Sequence, residues 1–504
     1  MAECLTRLRG VTNPTLFLSP RFLAVAVLTL ACFNLTFRLG QERLTEWDEG
    51  LYAKTAFEIL QSQEWIATTS EGVLDYSNSK PPLNVWLLAL SMKAFGVSLV
   101  SIRLASVIAA LLTVLVLLVW AWRRFGPRVG LLSALVLATT FGFMYVHSGR
   151  SGNPDALLTL LLLLIVVVLD GAATRPGRRI WLGPLLAGVF LLKGMAVLLP
   201  LLLVAFMECR WRLEWRQRWL PLVGAFVLGG VPIAAWAIAR WQVDQWTFFR
   251  LIFFQDFVAL AATPLDNQSG TPLFYLNILQ KHQYEWILAA AIVVILFRPA
   301  SWAGVMKSVV FWRSTNDRSA LIGAWCALAL VVPTLMQTKM PWYLNPFYPM
   351  FALGVGWVLS YGISEARKGT GKRRRVLVAV IASALLVAEV KLTYYSYVHR
   401  ALARSAQGIL MLEGDRLRGA TVYRTSWNHA DAFVLKAIVG AVPAQIDLED
   451  FAHRGKAGDY FLASPFPASQ NVKGCDLVEV RATRRYVLLQ KRPPQPKARC
   501  AKPS

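Results

Sequence analysis

EWDEGLYAKTAFEIL (46–60), a polar loop, and then SKPPLNVW (79–86) form the stretch that decides the fold. It sets Asp48 and Glu49 beside Trp47, adds a Lys80-Pro81-Pro82 step, and is bracketed by apolar runs of membrane length. Carboxylates next to a bilayer are costly unless they face water or a cation, so here they mark a candidate working site. The bland alternative is a solvated loop that joins two spans. The rest of the chain decides between these readings.

Of the 504 residues 56% are hydrophobic, against about 45–50% in an average soluble domain. Mean hydropathy is +0.47, and apolar runs repeatedly approach the roughly 20 residues a spanning helix needs. The first run, about 22–37, has no small-residue cleavage site behind it and reads as a retained span. The formal charge of +24 (53 basic, 29 acidic residues) would suggest nucleic acid in a soluble protein. Here the basic residues fall in short alternate loops, which is the positive-inside pattern, and no nucleic-acid partner is expected. The six cysteines form no CxxC or other metal-like spacing; Cys475 and Cys500, in the polar tail, are candidates to pair outside the cytoplasm.

Residues 1–21, with Arg7, Arg9 and Arg21, suit the cytoplasmic side. After the first span, Leu51, Ala53, Phe57 and Leu60 recur at roughly helical spacing, which predicts an interfacial helix. PPLNVWLLALSMKAFG, opened by two prolines, predicts a second one. Spans follow over 101–122, 129–146 and 156–172, then two within 180–208 broken at Lys193-Gly194. The remainder are 220–240, 284–297, 319–336, 346–360 and 376–394. The loops RRFGPR, TRPGRR, ECRWRLEWRQRW and EARKGTGKRRR belong inside. The expected fold class is therefore an all-α polytopic membrane protein of about eleven transmembrane helices with its N terminus inside. Its membrane domain covers 1–394, including a first outer loop over 40–100. A small extracytoplasmic α/β domain follows over 395–504. Strands are expected in GATVYRTSW, GDYFLAS and DLVEVRATRRYVLLQ, a helix over about 428–439, and a disordered Pro/Lys-rich end.

On this topology Asp48, Glu49, Lys80, Arg150, Asp155, Lys193, Asp256, Lys339 and Tyr343 all lie at outside helix ends or in outside loops. Such one-sidedness speaks against a merely solvated loop. There is no P-loop and no His pair at helical spacing. A sugar carried on a polyprenyl phosphate fits this residue set: its leaving group is already anionic, and Lys and Arg neutralise the charge that develops. The acceptor hydroxyl loses its proton as it attacks, which is work for one positioned carboxylate. A glycosidase would instead need two carboxylates flanking the bond.

The ordered series W-D48-E49-G-L-Y52-A, K80-P81-P82-L, R150-x-x-N-P-D155-A-L-L-T, K193-G194 and K339-M-P-W-Y343-L-x-P346 resembles the GT-C membrane glycosyltransferases. Within these it is most similar to the group of aminoarabinose transferases and protein O-mannosyltransferases. The resemblance covers about residues 20–360. It implies an inverting transfer, outside the cytoplasm at the inner (plasma) membrane, from a polyprenyl-phosphate sugar donor. The acceptor would be a hydroxyl or phosphate of a glycolipid, polysaccharide or protein, and membrane lipids surround the enzyme. Asp48, with Glu49 beside it, would be catalytic. Lys80, Tyr52, Arg150, Asp155, Lys193, Lys339 and Tyr343 would bind donor phosphate or sugar.

Structural readings stand beside these roles. Asp155 suits a helix N-terminus, Lys193 suits a side chain snorkelling to headgroups, and Trp342 with Tyr343 suits an aromatic belt. The group tends to carry a Glu before the Lys-Pro step, where this chain has Ser79, and a His in the long outer loop, where it has LDNQSGTPLFY. A divalent metal on those positions is not expected, and no other cofactor follows. A transporter or flippase would show repeats and broken helices with polar residues at midplane, which the sequence lacks. A non-catalytic scaffold leaves Asp48 with Lys80 unexplained.

Overall fold

A computed structural model of the chain describes residues 19–70, 72–76, 78–211, 214–254, 269–297, 317–369, 371–463 and 476–493. Cys475, Cys500 and Asp256, and with them any pairing of those cysteines, lie outside the described residues.

The helical scaffold begins with α1 (Pro20–Thr36), where Ser19 accepts from Phe22 N at 3.2 Å and Pro20 fills the first turn. The outer loop then supplies α2 (Asp48–Ser62) and α3 (Leu83–Phe95), the two expected interfacial helices. A short antiparallel pair, Thr69–Ser70 with Val73–Leu74, lies between them. A Ser98–Ser101 capping box starts α4 (Leu99–Phe125), and Gly126 separates it from α5 (Pro127–Ala138). Next come α6 (Asp155–Ala172), α7 (Leu182–Lys193), α8 (Leu198–Arg210) and α9 (Trp215–Asp244). The last four are α10 (Phe274–Phe297), α11 (Asp317–Leu335), α12 (Tyr348–Lys368) and α13 (Gly371–Val398).

Eight of these helical stretches are long and apolar enough to cross a bilayer. Pro176–Arg210 counts among them as one stretch, yet Gly194 turns the chain at φ +49° and splits it into α7 and α8. The break falls at the expected Lys193-Gly194 step. Helices α1, α9 and α13 carry exposed side chains such as Val25, Phe226 and Leu386, which suits a lipid-facing surface. The centre of the bundle is instead close-packed. Trp286 and Trp325 are buried and each indole N–H finds an acceptor, Thr139 Oγ1 at 3.0 Å and Pro346 O at 3.1 Å.

One end of the bundle is tied by ion pairs among the basic loops: Arg124 and Arg318 both meet Asp170 at 2.6 Å, and Arg210 meets Asp317 at 2.9 Å. The other end carries the outer loop and the C-terminal sheet domain. Helix α13 runs to Val398, past the expected boundary at 394. The chain then threads back over the outer loop: Arg43 N donates to Arg400 O at 2.9 Å and Leu44 N to Gln407 Oε1 at 2.8 Å. Strands β1 (Thr421–Arg424), β2 (Val442–Gln445), β3 (Tyr460–Ala463), β4 (Leu477–Ala482) and β5 (Val487–Lys491) form one sheet. Its order is β2-β1-β3-β5-β4, with β1 parallel to β2 and β3 and the remaining pairs antiparallel. The helical segments His429–Phe433 and Val434–Val439 cover one face and dock on α2 through an edge-to-face contact of Phe57 with Phe433.

Candidate active site

The two neighbouring carboxylates of the outer loop part company at the first turn of α2. Glu49 turns inward and is fully buried. Its Oε1 accepts from Arg103 Nε at 2.7 Å and Gly152 N at 3.0 Å, and its Oε2 accepts from Thr45 N at 2.8 Å and Arg400 Nη2 at 3.4 Å. Burial alone would raise its pKa, but the charges of Arg103 and Arg400 outweigh it and hold the carboxyl at about 2. Asp48 instead remains 42% exposed. The geometry thus gives Asp48 the open position and Glu49 a buried one, paired with two arginines.

His147 stands opposite Asp48. It occupies the turn after the short helix Phe141–Tyr145, and its Nδ1 lies 3.5 Å from Asp48 Oδ2. Its ring lies flat on Trp342, with centroids 3.7 Å apart and planes 8° from parallel. Burial holds the His147 pKa below its ordinary value against the pull of Asp48 and Asp155, with Lys193 adding to the lowering. Asp155 opens α6 and accepts from Lys193 Nζ at 2.7 Å, and that ammonium lies 5.7 Å from the centre of the Tyr343 ring. A Cβ on Gly194 would stand 3.6 Å from Pro81 Cδ, so the Lys80-Pro81 step abuts the Lys193-Gly194 turn. Asn84, in the first turn of α3, donates to Gly152 O at 3.2 Å. Asp48, His147, Asp155, Lys193, Trp342 and Tyr343 therefore form one cluster, and the half-buried Lys80 is brought to its edge.

Three of the expected donor ligands face inward and are engaged within the protein. Arg150 is 2% exposed: it donates to Phe37 O at 2.6 Å, to Glu42 Oε1 at 2.5 Å, and to Asn34 O. A guanidinium with these acceptors ties α1 to the turn before α6. Lys339, 5% exposed, donates to Pro333 O, Thr334 O and Met336 O, so it caps the carbonyl end of α11. Tyr52 is buried in the apolar cluster that joins α2 to the C-terminal domain, with Ala53, Ile59 and Ile409.

Sequence reasoning missed His147, Arg103, Glu42 and Arg400. An arginine in the first turns of an apolar span is itself a signal, because it must find a partner. His147 is one of only five histidines in the chain, three residues before Arg150. Among the described residues no three His, Cys, Asp or Glu side chains converge to hold a metal.

A family model described as dolichyl-phosphate-mannose-protein mannosyltransferase matches residues 79–236. An undecaprenyl phosphate-alpha-4-amino-4-deoxy-L-arabinose arabinosyl transferase of Pseudomonas aeruginosa is 28% identical over 389 residues, 73% of this chain and 66% of its own length. The Pseudomonas savastanoi enzyme of the same name is 29% identical over 80% of this chain and 72% of its own length. The chain thus matches just under two thirds of the Pseudomonas aeruginosa relative. The fold is similar to that of ArnT from Cupriavidus metallidurans bound to undecaprenyl phosphate (TM-score 0.68, 17% identity), over 94% of this chain and 99% of that one. It is also similar to the Archaeoglobus fulgidus oligosaccharyltransferase (TM-score 0.52, 12% identity), over 89% of this chain and 70% of that one.

Proposed function

We propose that this chain, whose fold and sequence are similar to those of aminoarabinose transferases and which a protein mannosyltransferase family model matches in part, is a GT-C membrane glycosyltransferase that moves a sugar from a polyprenyl-phosphate donor to an acceptor oxygen outside the cytoplasm. The observation that supports this most is the cluster itself: an accessible carboxylate, Asp48, and a paired ammonium, Lys193, both acting on His147, with Lys80 near by.

In the reaction the acceptor O–H gives its proton to Asp48 as the oxygen attacks the anomeric carbon. The bond from that carbon to the phosphate oxygen breaks, and the electron pair leaves on the phosphate, which needs no proton. In-line attack inverts the anomeric centre. Lys193 and Lys80 offset the phosphate charge, and Asp155 holds the Lys193 ammonium in place. Tyr343 and Trp342 supply the aromatic wall against which a sugar ring packs. Glu49, Arg103 and Arg400 fix the first turn of α2, and so the direction of Asp48.

The test is transfer by the purified chain from undecaprenyl-phosphate-linked sugars, with 4-amino-4-deoxy-L-arabinose first because the relatives are named for it. Wild type should form product. Asp48→Asn should bind donor equally well and lose roughly a hundredfold or more in rate. Equal rates in the two proteins would remove Asp48 from the chemistry.

A further inference from the structure

The turn that carries His147 is built to hold one imidazole in one orientation. Its backbone sits at φ 51°, the left-handed region that a non-glycine residue enters only at a cost. The carbonyl just before it, Val146 O, accepts from Asn345 Nδ2 at 2.9 Å, and the amide of Gly149 returns to Phe143 O at 3.1 Å. The Trp342 face fixes the plane of the ring. Within that plane the edge bearing Nδ1 points at Asp48, and Nδ1 is buried without a hydrogen-bond partner.

The charged groups acting on the ring come from three elements: Asp48 and Glu49 of α2, Asp155 of α6, and Lys193 at the end of α7. Glu49 is held by Arg103 and Arg400, and Asp155 is held by Lys193. Asp48 is the carboxylate that faces the imidazole. A neutral imidazole has a single N–H, and only the Nδ1–H tautomer puts a donor rather than a lone pair against that carboxylate. The 3.5 Å separation closes to a hydrogen bond with a small movement, as apo sites commonly require.

We propose that His147 is a positioning residue for Asp48: its Nδ1–H donates to one carboxylate oxygen and leaves the other aimed at the acceptor hydroxyl. The assignment rests on the reading of Asp48 as the base. No proton is exchanged between the two: Asp48 takes the acceptor proton, and His147 keeps its own throughout.

Two variants separate the donor from the ring. His147→Phe keeps the stack on Trp342 and loses the donor. His147→Asn loses the stack but places an amide N–H where Nδ1 stood, and asparagine accepts the left-handed backbone. His147→Phe should lower kcat roughly ten- to a hundredfold at unchanged donor KM, and move the acidic limb of the pH–rate profile to higher pH. His147→Asn should recover most of both losses. Wild-type kcat and profile in His147→Phe would overturn the proposal, as would His147→Asn being as impaired as His147→Phe. Nitrogen-15 NMR of the full-length protein in detergent supplies a second arm that needs no turnover. The His147 resonances should report the Nδ1–H tautomer and change in Asp48→Asn; an Nε2–H tautomer in wild type would overturn the pairing. Absence of transfer by wild type, with the Nδ1–H tautomer present, would count against the transferase reading and leave the pair standing.

Discussion

Arg103 Nε donates to Glu49 Oε1 at 2.7 Å across 54 residues of sequence, and both side chains are fully buried. Arg103 also donates to the carbonyls of Leu39, Glu42 and Arg43, so one guanidinium binds the loop before α2 as well as its first turn. Glu49→Gln leaves the buried Arg103 short of its counter-charge and Arg400 with Glu42 as its remaining partner. The expected cost is about 3–5 kcal/mol of stability, because breaking a buried pair strands the remaining charge. Thermal unfolding in detergent checks this, and a loss near zero would mean that the network does not hold the outer loop.

The same carboxylate predicts an acid limit. Its pKa falls from 4.5 to about 2 in the folded chain. A depressed acid stabilises above its unfolded pKa, and that contribution fades as pH drops from 4.5 towards 2. The amount at neutral pH is about 3 kcal/mol. Stability measured against pH should therefore fall steeply below 4.5 in wild type and more gently in Glu49→Gln. Parallel curves would exclude Glu49 as the titrating group.

Two lysines read alike in sequence and are placed differently. Lys193 is partly exposed and bonded to Asp155, whereas Lys339 is buried on three carbonyls at the end of α11. Lys193→Met should weaken donor binding roughly ten- to a hundredfold, the scale of a charge-assisted hydrogen bond. Lys339→Met should leave donor affinity unchanged and lower stability by about 1–3 kcal/mol, because the helix-end carbonyls lose their donor. Donor titration and thermal unfolding of both variants separate the roles, and reversed effects would exchange them.

This contrast shows where the sequence was legible. Apolar runs with basic punctuation place the helices, because the bilayer fixes both length and loop charge. The Lys193-Gly194 break was readable since glycine reaches φ +49° without a Cβ clash. The direction of each polar side chain was not readable. Glu49 and Asp48 differ by one position, about 100° around a helix, and only the partners brought by α4 and by the segment after α13 decide which of them is buried. Arg103 and Arg400 lie 54 and 351 residues from Glu49, beyond the reach of any local pattern. The parallel strand β2, in AVPAQ, was missed because proline argues against a strand, although it sits at the sheet edge where proline is tolerated.

Gly50 supplies the last test, because the C-terminal domain rests on it. A Cβ there would lie 2.5 Å from Ala430 N, 2.7 Å from its Cα and 2.8 Å from its Cβ. Trp47, three residues earlier on the same face, meets His429 edge-on with centroids 6.3 Å apart. Gly50→Ala must therefore push the His429–Phe433 helix away from α2. Hydrogen exchange should quicken in α2 and over residues 429–439 while the membrane helices keep their protection. Transfer should fall with it, because Asp48 is the first residue of α2. Adding Ala430→Gly removes one of the three clashes and leaves the two with backbone atoms, so the double variant should stay impaired. Full recovery of exchange protection in that double variant would show that the domain docks through side chains alone, and that backbone contact at Gly50 does not set the position of Asp48.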